Sequence, residues 1–412
     1  MTRKLRIAID CRITSFQQGV GTAVIALAKA FSNSDATDQE YTFIVRESMR
    51  DCLAPYVYGP CKLEGIPEST FSAAKSALRW IAPLRFIWHK YCDQVAYVPV
   101  SDGYVESQHF DVVHFVTQAA YLTKLPSIYQ PHDLQHLHYP QFFTKSDFAQ
   151  RERLYQAFCQ QASYVCVQTE WTRRDVIRQY GFAEEKVVVI PWGSVFESYE
   201  NPTTDDIEAA ITKYQLPRHF FFFPAATWPH KNHEVIFRAI QILQREDGGA
   251  APHVFFTGAS TDHRRTLDKV AQDLGVSEQV HFLGFLTPGE LQAIFRAATA
   301  MIYPSRFEGF GLPILEAFHA RLPVLSSNAT VLPEVGRNGA LYFDPESPAE
   351  LAVLMRAVLN KPELRRDLVE KGTLVLSQYA FSDTAAKFRT LYERTAALNP
   401  DRHQLASESA AF

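Results

Sequence analysis

No stretch of the 412 residues reaches the roughly 18 uncharged apolar positions that a membrane-spanning helix needs. The amino terminus lacks the apolar core of a secretory signal peptide and turns at once into a strand-like run, so the chain is expected to be soluble and cytoplasmic. Its six cysteines (Cys11, Cys52, Cys61, Cys92, Cys159 and Cys166) show no Cys-x-x-Cys spacing, which argues for reduced thiols rather than a disulfide framework or a zinc knuckle. No block of basic residues occurs. The 41 Lys and Arg against 45 Asp and Glu leave a net charge of −4, and nucleic acid is not expected as a partner. A full Gly-x-Gly-x-x-Gly followed by an acidic residue is also missing, which argues against a nicotinamide-dependent oxidoreductase.

What is present is ample material for two cores, with 47% hydrophobic and 13% aromatic residues. Short runs that are apolar on both faces recur at Leu5–Asp10, Tyr41–Arg46, Asp111–Val116, Ser127–Gln130, Tyr164–Thr169 and Val187–Pro191. A second series follows at Phe220–Pro224, His253–Gly258, Val280–Gly284, Ala300–Pro304, Pro323–Ser326 and Ala340–Asp344. Such runs suit parallel strands covered by helices on both sides. Helical segments between them, such as Gly21–Phe31 and His233–Leu243, complete the pattern of two doubly wound α/β domains. The first is expected over residues 1–197 and the second over 207–380, with the Asn201-Pro202 break between them. A final helix over 381–398 and a frayed tail over 399–412 are expected to follow. Residues 49–108 hold few clean strand signals and read as an insertion. Within it, 70–92 is expected to be an amphipathic surface helix packed on the core, the alternative being a basic helix in peripheral contact with an anionic membrane or a lipid-linked acceptor.

Three segments carry chemistry. In Pro304-Ser-Arg-Phe-Glu308-Gly-Phe-Gly311-Leu-Pro313-Ile-Leu-Glu316, a buried strand gives way to a glycine-containing loop and then to a helix with Pro313 in its first turn. Amides of Phe310, Gly311 and Leu312 would face a ligand at the positive end of the helix. Glu308 and Glu316 would flank that ligand, each carboxylate accepting from adjacent hydroxyls. In Phe220-Phe-Phe-Phe-Pro-Ala-Ala-Thr-Trp-Pro-His230-Lys231-Asn232, a lysine after a strand can meet phosphate as a point charge. In the first domain, Gly19-Val-Gly21 after the first strand would let the backbone approach a phosphate. The tract His132-Asp-Leu-Gln-His136-Leu-His138 invites a metal, but Pro131 and Pro140 argue against one helix bearing the histidines and no cysteine lies beside them. No metal site is expected there.

These segments resemble the Glu-x7-Glu motif, the phosphate lysine and the glycine loop of the retaining glycosyltransferases of family 4 (glycosyltransferase group 1). The resemblance keeps the family's order through most of the chain. It implies two Rossmann-like domains facing across a cleft, the GT-B fold. It also implies transfer of a hexosyl group, with retention, from a GDP- or UDP-linked sugar to a glycan or lipid-linked acceptor in surface polysaccharide assembly. His132 and Glu308 would then act at the transferred sugar. Gly19, Gly21, Lys231, Phe310, Gly311, Leu312 and Glu316 would bind the donor, Glu316 through its ribose. No cofactor is expected beyond the nucleotide sugar itself. The chain has no Asp-x-Asp, and a metal-independent reaction is expected, with Lys231 and the amides neutralising the diphosphate. The sequence departs from the family at Ala225, where many members carry an arginine; Arg306 or His230 would have to supply the second cation. A non-catalytic nucleotide-sugar binder stands as the alternative.

Overall fold

In the computed structural model, residues 3–16, 19–35, 38–67, 98–246 and 251–398 are described. The segment 70–92 and the tail 399–412 lie outside them. Chain contacts divide the protein into two units: one up to Trp192 together with Phe381 onward, the other Gly193–Ala380.

The first unit is built on a seven-stranded sheet, β1 (Leu5–Asp10), β2 (Gln39–Arg46), β3 (Cys61–Ile66), β4 (Val112–Phe115), β5 (Ser127–Tyr129), β6 (Tyr164–Val167) and β7 (Val187–Val189). Its order is β3-β2-β1-β4-β5-β6-β7, with every neighbouring pair parallel. The central strands β1 and β4 are buried along nearly their whole length, as apolar runs on both faces require. β3 falls inside the stretch read from sequence as an insertion with few clean strand signals. It is an edge strand carrying Lys62, Glu64 and Gly65, and is well buried at Cys61 alone, so it lacks the both-faces apolar pattern that marks its neighbours.

The second unit carries a six-stranded parallel sheet, β8 (Phe220–Pro224), β9 (His253–Thr257), β10 (Val280–Phe282), β11 (Ala300–Tyr303), β12 (Val324–Ser327) and β13 (Ala340–Phe343), in the order β10-β9-β8-β11-β12-β13. Phe220 to Phe223 in β8 are all essentially inaccessible and form the centre of its core. Thr203 with Asp206 and Thr287 with Glu290 form reciprocal capping boxes ahead of the helices Thr204–Tyr214 and Pro288–Ala297.

The junction between the units falls earlier than the polar stretch marked in the sequence, because Val195 and Phe196 are buried in the second unit, Phe196 edge-on to Phe295 and His319. The final helix, Phe381–Ala396, belongs with the first unit. Its Tyr392 hydroxyl is 2.8 Å from His114 Nδ1 on β4, and its Glu393 accepts from Gln39 Nε2 at 2.9 Å.

Each sheet has one place where the chain reverses its direction of winding, between β1 and β4 and between β8 and β11. Loops at the carboxyl ends of strands flanking such a point form the natural ligand crevice of an open parallel sheet.

Candidate active site

In the second unit the loops after β8 and β11 converge at that point. Pro229–Lys231 is a single tight turn, closed by the Lys231 amide donating to the Trp228 carbonyl at 3.0 Å. It brings Lys231 Nζ to within 2.6 Å of Glu308 Oε1 in the loop after β11. Side-chain exposures of 18% and 12% make this a largely desolvated ion pair. The ammonium also stands 5.7 Å from the centre of the Tyr303 ring. Burial pushes the Glu308 carboxyl up, but Lys231, with a smaller contribution from His230, outweighs it and holds the group below its ordinary value.

Glu316 has a different environment. It lies in the helix Leu312–His319, and its carboxylate has no hydrogen-bond or ion-pair partner among the described residues. Burial alone raises it to about 7. Gly311 caps this helix at φ 100°, a left-handed value that favours glycine. The Gly311 and Leu312 amides have no acceptor among the described residues, and with Phe310 they head the positive end of the helix. Phe310 itself is buried, its ring 6.2 Å from Tyr379.

Two further residues build this site, and sequence reasoning missed both. Asn232, buried and left-handed at φ 58°, donates from Nδ2 to the Pro304 carbonyl at 3.1 Å and to the Pro345 carbonyl at 2.8 Å. Thr330, after β12 and at φ 49°, accepts from the Glu308 amide and donates to the Glu308 carbonyl, both at 3.3 Å. Asparagine's tolerance of left-handed backbone directly after Lys231 was the legible signal for the first; nothing in the sequence marked the second. Of the two substitutes for the missing arginine, burial and the Lys231 charge depress His230 to about 4, so it is neutral near pH 7 and supplies no second cation. Arg306 is engaged with Glu346, its Nε 2.5 Å from Oε1.

In the first unit, Asp10 ends β1 and Arg12 folds back on it, with Nε–Oδ1 at 3.1 Å and Nη2–Oδ2 at 2.8 Å. The guanidinium lies 4.9 Å from the centre of the Tyr121 ring. These three residues, with Arg46 and Thr117, line a cavity of about 550 Å3 at the first sheet's switch point. The Asp10-x-Arg12 spacing puts both side chains on one side of an extended strand end, a signal the glycine loop overshadowed.

His132 follows β5 at φ 64°, with Nε2 2.9 Å from the Val116 carbonyl and its ring 5.2 Å from that of Trp192. Burial lowers it to about 4. A neutral ring whose Nε2–H donates to that carbonyl leaves Nδ1 as an acceptor. The histidine tract disperses: His136 pairs with Glu152 and His138 with Asp175, each at 2.8 Å. Among the described residues no group of three or more His, Cys, Asp or Glu is arranged to hold a metal. Gly19 caps the helix Val20–Ser32, and among the described residues nothing lies within 4 Å of its Cβ position. Gly21 has a structural role: a Cβ there would stand 2.5 Å from the Ser15 carbonyl oxygen.

Comparison with known proteins settles the family. The profile of Glycosyl transferases group 1 matches residues 205–375, and that of Glycosyltransferase Family 4 matches residues 18–194. The chain belongs to this family of glycosyltransferases. Among the curated relatives the chain resembles, the Escherichia coli serotype-specific mannosyltransferase WbdA is 28% identical over 52% of this chain, and the match spans about a quarter (26%) of WbdA's own length. The O-antigen chain mannosyltransferase B of the same organism is 24% identical, over 64% of this chain and 68% of its own. The fold is that of the Anabaena protein HepE solved with UDP and glucose, with a TM-score of 0.70 over 95% of this chain and 100% of that one, at 17% identity. Among the described residues no helix is long and apolar enough to cross a membrane.

Proposed function

We propose that the protein transfers a hexosyl group, with retention, from a GDP- or UDP-linked sugar to a glycan or lipid-linked acceptor in surface polysaccharide assembly. The observation that carries the reading is the Lys231–Glu308 pair beside the Gly311 and Leu312 amides at the β8/β11 switch point. A diphosphate requires a cation and backbone donors in a water-poor pocket, and this corner of the second unit offers both. Lys231 neutralises the leaving phosphate without a metal. Glu316 accepts from the ribose hydroxyls, and Glu308 stands by the transferred sugar. The anomeric carbon's bond to phosphate oxygen breaks, and a bond to the acceptor hydroxyl oxygen forms on the same face. The acceptor's proton passes to the departing phosphate. His132, being neutral, serves by accepting a hydrogen bond at Nδ1 rather than by charge. The Asp10–Arg12 cavity takes the acceptor, its paired charges and hydroxyls suiting a neutral polyol.

A panel of nucleotide sugars tested for thermal stabilisation, followed by donor hydrolysis and transfer assays, checks this. A hexose linked to GDP or UDP is expected to stabilise the protein and to be turned over, and Lys231→Ala is expected to abolish the effect. No stabilisation by any nucleotide sugar or nucleoside diphosphate would overturn the reading. Stabilisation without turnover would leave a nucleotide-sugar-binding protein.

A further inference from the structure

Asn232 sits where the loops after three strands of the second sheet meet. It follows Lys231 directly, and its backbone holds the left-handed turn that ends Pro229–Lys231 and starts the helix His233–Glu246. Its side-chain amide donates two hydrogen bonds, one to the Pro304 carbonyl after β11 and one to the Pro345 carbonyl after β13. Only 2% of the residue is exposed, so water does not compete for either bond. Pro304 leads within a few residues to Glu308, and the Arg306 amide donates to the His230 carbonyl at 2.8 Å, which stitches the same two loops from the backbone side. Proline carbonyls are apt acceptors here: a proline fixes φ, so the oxygen it presents is held on a stiff segment.

Resting on the phosphate-binding reading of Lys231, we propose that Asn232 is a positioning residue whose amide cross-link sets the Lys231 ammonium against Glu308 and the diphosphate. It touches neither donor nor acceptor. Two roles are combined in one side chain: asparagine tolerates the left-handed turn, and its NH2 spans two loops. Glycine would supply the first role without the second, and alanine neither. Aspartate keeps the size and the turn, but sets oxygen atoms against two carbonyl oxygens.

The test compares Asn232→Gly, Asn232→Ala and Asn232→Asp with the parent protein, using UDP and GDP as probes by calorimetry, together with the pH profile of donor turnover. Asn232→Gly is expected to weaken nucleoside diphosphate binding about tenfold or more, because a misplacement of the order of 1 Å at a charged contact has effects of that size. Its acid limb should move to higher pH, since a looser Lys231 no longer holds the Glu308 carboxyl down against burial. Asn232→Asp should be at least as impaired. Should Asn232→Ala fail to fold, the glycine variant still decides the matter. Parent-like affinity and an unmoved acid limb in Asn232→Gly, even with a lower melting temperature, would overturn the proposal and leave Asn232 a turn residue. Lys231→Ala separates the two levels: if it leaves diphosphate binding intact, the phosphate-binding reading itself falls.

Discussion

Lys231 and Glu308 are ion-paired at 2.6 Å, although they lie in loops after two different strands of the second sheet. The pair is nearly out of water, and a buried carboxylate without its counter-ion is costly. The group that reads as a phosphate ligand therefore also keeps its neighbour ionised. Glu308 is held below its ordinary pKa, so the stability it contributes is present above the unfolded carboxyl's pKa and is lost as pH falls through the lower folded value.

Lys231→Met should therefore destabilise the protein by up to about 3 kcal/mol, since it strands the Glu308 charge. Glu308→Gln should cost less, because an amide needs no counter-ion. The double variant should be more stable than Lys231→Met alone. Thermal and denaturant unfolding of all four proteins measures the coupling, and strictly additive effects would show that the pair contributes nothing to the fold.

Glu316 behaves oppositely. Burial raises it to about 7, so between the unfolded carboxyl's pKa and about 7 the folded chain holds a proton that the unfolded chain has released. Stability should fall with rising pH across that window and level off above it. Glu316→Gln should remove the slope and raise the melting temperature on the alkaline side. Hydroxyl donors from a ribose favour the carboxylate, so GDP or UDP binding should release a proton near neutral pH and tighten as pH rises through about 7. Calorimetry in buffers of different ionisation enthalpy reads this release directly. Its absence would remove Glu316 from the ribose.

The pattern of strands buried on both faces was legible because parallel strands leave continuous apolar runs, as in Phe220 to Phe223. β3 escaped because Lys62, Glu64 and Gly65 break that pattern at the sheet's edge. The expectations for Lys231, Glu308 and Glu316 come from motif and spacing: the first two lie in loops that follow strands, and Glu316 lies within the helix after the second of those loops. Their ionisation could not be read that way: the two carboxyls of one motif part ways because Lys231 pairs with one of them and no hydrogen-bond donor or cation among the described residues pairs with the other. Thr330 was hidden for a similar reason. A β-branched residue at positive φ makes two bonds to Glu308 there, a long-range contact that sequence does not display.

Gly19 and Gly21 looked equivalent in the sequence, yet their surroundings divide them. At Gly21 an added Cβ would meet the Ser15 oxygen at 2.5 Å and Phe16 Cα at 2.6 Å, both backbone atoms that cannot swing aside. Gly21→Ala should therefore cost about 2 kcal/mol by overpacking. UDP and GDP affinity, carried by the second unit in the proposed reading, should stay unchanged. At Gly19 nothing lies within 4 Å of the Cβ position among the described residues, but φ 52° with ψ −118° is glycine territory. Gly19→Ala should cost about 1–3 kcal/mol through backbone strain alone. Melting curves and diphosphate titrations on both variants distinguish the two glycines. If Gly21→Ala weakens diphosphate binding while its melting temperature is unchanged, the glycine was serving a ligand and the packing account of Gly21 is wrong.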